Sequence, residues 1–255
     1  MRVEARVVSS SPPQGPRTVS TKTQPPLTRA DWLIPAGLLV LALIPAIAGA
    51  VRVAGLASGA EITPENARFV AAPLPIILHI VGALLFSILG AFQFSPGLRR
   101  RYLRWHRLSG RIALPAGLVV AGSGIWMTLT YEMPAMDGVA VYLERLVFGI
   151  AMAVSLVLGV VYVLRRDIPR HSAWMLRGYA LGMAAGTQVI THLPWFILVG
   201  QPTEGPRAVM MGAGWVINLM IAEWLISRRR PMPVRLQTAQ GAHSSRTFAP
   251  ANNTR

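Results

Sequence analysis

The sequence contains no cysteine. Disulfides, thiolate metal ligands and cysteine nucleophiles are therefore excluded, and so is covalent haem attachment through a Cys-x-x-Cys-His motif. Lysine is nearly absent, with Lys22 the single example, and only 10 acidic residues stand against 25 basic ones. Charged residues make up 14% of the chain and hydrophobic ones 53%, a balance that leaves too little polar surface for an ordinary soluble domain. Several catalytic signatures are missing too. There is no Gly-rich phosphate loop, no His-Glu-x-x-His, no Gly-x-Ser-x-Gly, and no clustered His-x-x-x-His box of the kind used by membrane di-iron oxygenases. These absences argue against a nucleotide- or zinc-dependent enzyme and leave open whether the chain is an enzyme at all.

What is present is a series of apolar runs of roughly twenty residues, the length that crosses a ~30 Å hydrocarbon core at 1.5 Å per residue. The expected spans are 32–52, 72–95, 108–130, 140–164, 173–198 and 208–227. The fold class is all-α, an integral membrane bundle of about six transmembrane helices occupying 31–228. Residues 1–30 and 229–255 are rich in Pro, Ser, Thr, Gln, Asn and Arg without apolar periodicity, and are expected to be disordered tails. His243 falls in the second tail. Pro35, Pro45, Pro75, Pro115 and Pro194 fall inside or near spans, where they mark kinks or ends.

Arginine distribution fixes the orientation. Arg99, Arg100, Arg101, Arg104 and Arg107 follow the second span, Arg165, Arg166 and Arg170 the fourth, and Arg228, Arg229 and Arg230 the sixth. The intervening loops are poor in base and carry Glu61, Glu65, Glu132, Asp137 and Glu204. Every loop agrees with both termini in the cytoplasm. In a soluble chain a net charge of +15 would suggest nucleic acid; here the partners it implies are the lipid bilayer and its anionic headgroups.

Ionisable groups at membrane depth are functional candidates, and four of the five histidines lie in or at the edge of spans. His106 and His171 stand at the cytoplasmic starts of spans three and five. His79 lies about sixteen residues, or ~24 Å, above the inner end of span two. His192 is twenty-one residues beyond His171, hence ~31 Å further up if the helix is continuous. Twenty-one residues also return to within ~60° of the starting face. The histidines sort into an inner pair, His106 with His171, and an outer pair, His79 with His192. That is the pattern of one or two b-type haems, each iron held by imidazoles from two helices. Glycine and alanine near the histidines let a macrocycle, or simply another helix, approach closely. Arg107, Arg111, Arg170 and Arg177 are placed to neutralise propionates or lipid phosphates. Glu144 and Arg145 lie near the outer end of span four with partners expected on other helices, and Arg177 with Glu223 is expected to form a buried ion pair.

Four segments carry a resemblance to a known family. They are Leu78-His79-Ile80-Val81-Gly82, Gly90-Ala91-Phe92-Gln93-Phe94-Ser95, His106-Arg107-Leu108-Ser109-Gly110-Arg111 and Arg170-His171-Ser172-Ala173-Trp174-Met175-Leu176-Arg177. Over about 70–200 the chain resembles a bacterial membrane family catalogued as domain of unknown function 2306. The resemblance implies a multi-pass protein of the bacterial inner membrane and groups His79, Gln93, His106, Arg111, His171, Trp174 and Arg177 as one site. It implies no activity. The layout is also similar to cytochrome b561-type two-haem proteins, a fold-level analogy.

The expected function is haem-b-based electron transfer across or within the membrane. His106 and His171 would hold an inner haem, His79 and His192 an outer one, and a quinone or redox protein would exchange electrons. The alternatives are a small-molecule permease or accessory subunit, with histidines serving proton coupling or lipid contact, and a membrane scaffold without ligand.

Overall fold

The computed structural model describes residues 26–134 and 136–228. All regular structure among them is helical, in the order α1 Arg29–Ser58, α2 Ala67–Ala71, α3 Pro73–Gln93, α4 Pro96–Arg101, α5 Leu103–Thr130, α6 Val139–Leu164, α7 Ile168–Gly182, α8 Ala184–Leu198 and α9 Glu204–Ser227. Most of both expected tails, with Lys22 and His243, lies outside the described residues.

Among the described residues five helices are long and apolar enough to cross a membrane: Asp31–Ala57, Pro73–Gln93, Leu103–Thr130, Val139–Leu164 and Glu204–Ser227. Their surfaces are apolar, with Leu33, Val40, Ile47 and Val51 of α1 all more than half exposed. Such a surface fits hydrocarbon and not water. The fifth expected span, 173–198, is not one helix. It is divided between α7 and α8 by an interruption at Met183. The all-helical membrane fold therefore holds, with five candidate spans among the described residues and the remaining expected span divided between two shorter helices.

Local sequence sets the helix ends. The Asp31 carboxylate accepts from the Thr28 main-chain N–H (3.0 Å) and hydroxyl (2.9 Å), closing the first turn of α1. Gly59 ends α1 at φ 65, a left-handed conformation that glycine adopts without a Cβ clash. α3, α4 and α7 begin with proline at their first or second position, where the missing N–H costs no helical bond. Of the prolines expected to mark kinks or ends, Pro35 and Pro45 sit inside α1, Pro115 inside α5 and Pro194 inside α8, so these four do not end their helices. Apolar surroundings leave a helix few alternatives for its backbone groups, so it continues through them.

The chain divides into two compact units at Ser123/Gly124, within α5. In the first, α1 packs on α3 and the short α4. Asp31 reaches across this contact to accept from the Gly97 N–H of α4 at 2.8 Å. Gly82 of α3 lies where an added Cβ would come within 3.1 Å of the Ala116 carbonyl, so the missing side chain lets α3 and α5 meet. In the second unit α6 packs mainly on α7, and α9 packs against α6, α7 and α8. Asn218 and Thr187 are buried between α8 and α9.

Candidate functional site

In the first unit, His79 projects from α3 toward α5. Its Nδ1 lies 3.1 Å from the Val120 carbonyl and 3.2 Å from the Ser123 hydroxyl oxygen. A carbonyl only accepts, so Nδ1 must carry the proton. Ser123 donates its own hydrogen to the Val119 carbonyl at 2.5 Å and so also accepts from the ring. In the neutral imidazole the lone pair is then on Nε2.

The second unit repeats the arrangement twice. His171 Nδ1 lies 2.7 Å from the Gly159 carbonyl across the α6–α7 contact. His192 Nδ1 lies 2.7 Å from the carbonyl of Gln188, one turn back on α8. The Nε2 of His192 is buried and has no hydrogen-bond partner among the described residues. The Phe196 ring lies 6.4 Å from its own. Three histidines thus spend Nδ1–H on the main chain, which leaves the lone pair of the neutral ring on Nε2. His106 stands in the first turn of α5, half-buried, its main-chain N–H on the Tyr102 carbonyl at 2.9 Å.

The other expected site residues have specific employment. Gln93 at the end of α3 donates to the Ser109 hydroxyl at 2.6 Å, and Ser109 in turn donates to the Trp105 carbonyl at 2.7 Å. Arg177 makes a bidentate pair with Glu223, Nε–Oε1 2.5 Å and Nη2–Oε2 2.9 Å, and its guanidinium sits 4.6 Å over the Trp174 ring. The expected pair is present but not buried, since the Glu223 side chain is half exposed. Arg107 and Arg111 are exposed on α5. Trp174 and Arg177 meet in the second unit, to which His171 and His192 also belong, whereas His79, Gln93, His106, Arg107 and Arg111 belong to the first.

The rise and rotation expected from His171 to His192 presuppose one continuous helix. The interruption at Met183 removes that premise, because the two imidazoles ride on separate helices. Sequence reasoning also missed the groups that orient the histidines. Ser123 left a trace as a hydroxyl in an apolar run, but the carbonyls of Val120, Gly159 and Gln188 left none. Asp137 was read only as an outer-loop charge. Its side chain is fully enclosed and accepts from Arg145 at 2.6 Å and from Arg207, joining α6 to the start of α9.

No curated protein and no solved structure matches the chain, so the likeness to cytochrome b561-type proteins rests on sequence layout alone. The family model described as Predicted membrane protein (DUF2306) matches residues 76–226. The match begins inside α3 and ends inside α9, taking in all four transmembrane histidines and leaving α1 outside. The chain belongs to this DUF2306 family of predicted membrane proteins.

Proposed function

We propose that the protein binds haem b in the membrane and serves electron transfer. One observation carries the reading: His79, His171 and His192 each direct Nδ1 at a main-chain carbonyl and keep Nε2 for a ligand. Imidazoles that hold a metal are oriented in this way, the second nitrogen donating to a carbonyl or carboxylate that fixes ring and tautomer. A histidine serving only as a headgroup contact needs no such tether. A porphyrin would supply four of the iron's donors and ask the chain for only one or two, so it needs no cluster of three or more side-chain ligands.

In this reading Nε2 of His79, His171 and His192 would hold the haem iron, with His106 as the fourth candidate. Haem iron supplies one-electron chemistry when bound. The chain supplies orientation, an apolar surrounding and charge. Arg177 is already matched by Glu223, so Arg107 and Arg111 are the better propionate partners. Gln93 and Trp174 act through Ser109 and Arg177. A quinone or a redox protein of the cell membrane would exchange the electrons.

The test is an absorption spectrum of the full chain purified from haem-supplemented cells, oxidised and then dithionite-reduced. The expected result is a Soret band that moves on reduction with a sharp α band, lost in part in His171→Ala and His192→Ala. A colourless, folded preparation, or full haem in every histidine variant, rejects the proposal.

The interruption between α7 and α8 favours a second reading, a small-molecule permease, because broken membrane helices often line transport sites. Its polar neighbours weigh against it: Asn218 and Thr187 bond to each other and to Ala180. Uptake of a solute into vesicles that depends on pH and on Asn218, by a colourless protein, would establish the permease instead.

A further inference from the structure

From Asn66 to Tyr131 the sequence contains no aspartate or glutamate. This acid-free stretch includes α4 and the start of α5, where Arg99, Arg100, Arg101 and Arg104 are all exposed. None of the four forms an ion pair among the described residues. The carboxylate that meets α4 is Asp31; it is buried, accepts from Thr28 and the Gly97 N–H, and feels the charge of Arg100 without a direct contact. In the second unit Arg170 pairs with Asp167 at 3.3 Å and Arg177 with Glu223, while Arg165 and Arg166 are exposed without the interleaved rings found beside α4.

Apolar side chains are interleaved with the four cations. Tyr102, Leu103 and Trp105 are each nearly half exposed. Gly97 and Leu98 of α4 are buried, and Asp31 holds this short helix against α1. Four exposed guanidinium groups are thus interleaved along the chain with a phenol and an indole ring, Arg101 lying 5.9 Å from the centre of the Tyr102 ring. A soluble phosphate compound would engage the arginines and leave the exposed apolar groups in water. A phospholipid engages both, its phosphate at the guanidinium groups and its upper acyl segments against the rings.

We propose that α4 and the first turn of α5 form a binding site for an acidic phospholipid of the inner leaflet. Arg99, Arg100, Arg101 and Arg104 hold the headgroup phosphate, and Tyr102 and Trp105 hold the glycerol–acyl boundary. None of the residues that hold the lipid is one proposed to hold haem, although His106 lies in the same turn of α5 as Arg104 and Trp105.

The test is native mass spectrometry of the full chain in uncharged detergent, titrated with phosphatidylglycerol and, separately, with phosphatidylcholine. The expected result is preferential binding of phosphatidylglycerol. Each arginine near the surface is worth roughly a fivefold change in affinity, so R99Q/R100Q/R101Q/R104Q should weaken binding by more than about a hundredfold. The control R165Q/R166Q should bind as wild type does. Equal affinity for the two lipids, an unchanged quadruple variant, or an equal loss in the control overturns the site. Displacement of the lipid by millimolar inorganic phosphate overturns it in favour of a soluble phosphate ligand. Should the quadruple variant fail to fold, a salt series on the wild-type chain decides. Affinity for phosphatidylglycerol must fall as ionic strength rises, and a flat response rejects the proposal.

Discussion

Asn218 of α9 donates its side-chain amide to the main-chain carbonyl of Ala180, 2.9 Å away, within the last turn of α7. Helix ends leave carbonyls without an amide four residues on, and in hydrocarbon no water replaces it. The same amide accepts from Thr187 of α8 at 2.7 Å, so one side chain serves both sides of the interruption at Met183.

Asn218→Leu keeps the volume and removes both functions. It leaves the Ala180 carbonyl and the Thr187 hydroxyl unsatisfied, at a cost of about 1–3 kcal/mol in stability. Adding Thr187→Val removes one orphan and should recover part of the loss. Thermal unfolding in detergent measures both, and an unchanged midpoint in Asn218→Leu would show that the amide does not support the break.

The interruption illustrates what the sequence does and does not reveal. The apolar runs and the arginine asymmetry are local, and five of the six expected spans follow from them with ends displaced by a few residues. Gly182-Met183-Ala184-Ala185-Gly186 contains no proline and reads as continuous helix. Its break is supported by Asn218, thirty-eight positions from Ala180, a separation that no periodic pattern reports. The histidines are similar. Their depth is legible from residue counts, but the carbonyls that fix their tautomers belong to main-chain groups of Val120 and Gly159, brought close only by packing.

Asp137 makes the second prediction. Its enclosed carboxylate is shared by Arg145 and Arg207, so Asp137→Asn leaves two guanidinium groups facing a neutral amide. Breaking a buried pair from one side costs about 3–5 kcal/mol. Arg145→Gln or Arg207→Gln alone should cost less, because the carboxylate keeps one cation. The double arginine variant should cost less or more than the sum of the singles, since both act on one group. Strict additivity in thermal unfolding would mean that the two contacts are energetically separate.

Arg177 and Glu223 behave oppositely. The pair is bidentate, yet the Glu223 side chain is half exposed at the surface of α9. Exposed pairs contribute roughly 0–1 kcal/mol, so Glu223→Gln should shift the unfolding midpoint little. Arg177→Lys also loses the planar stack over Trp174 and should cost more than Glu223→Gln. The reverse order of the two variants would place the energy in the ion pair and not in the stack.

Gly159 links packing to the proposed haem site. Its carbonyl accepts from His171 Nδ1, and its missing side chain admits Met175 from α7. A Cβ at 159 would stand 2.5 Å from Met175 Sδ but 3.6 Å from the Met175 main-chain nitrogen. The obstacle is therefore the end of a flexible thioether, which can swing aside. Gly159→Ala should cost about 1 kcal/mol, at the low end for overpacking, and Met175→Ala in the same background should return most of it. Gly159→Val brings two further methyl groups toward α7 and should force the helices apart, taking His171 away from its carbonyl. If His171 holds iron, haem content follows the same order: retained in the Gly159→Ala/Met175→Ala pair, reduced in Gly159→Val. Haem retained fully in Gly159→Val, with the bundle measurably destabilised, would detach iron binding from the tether of His171.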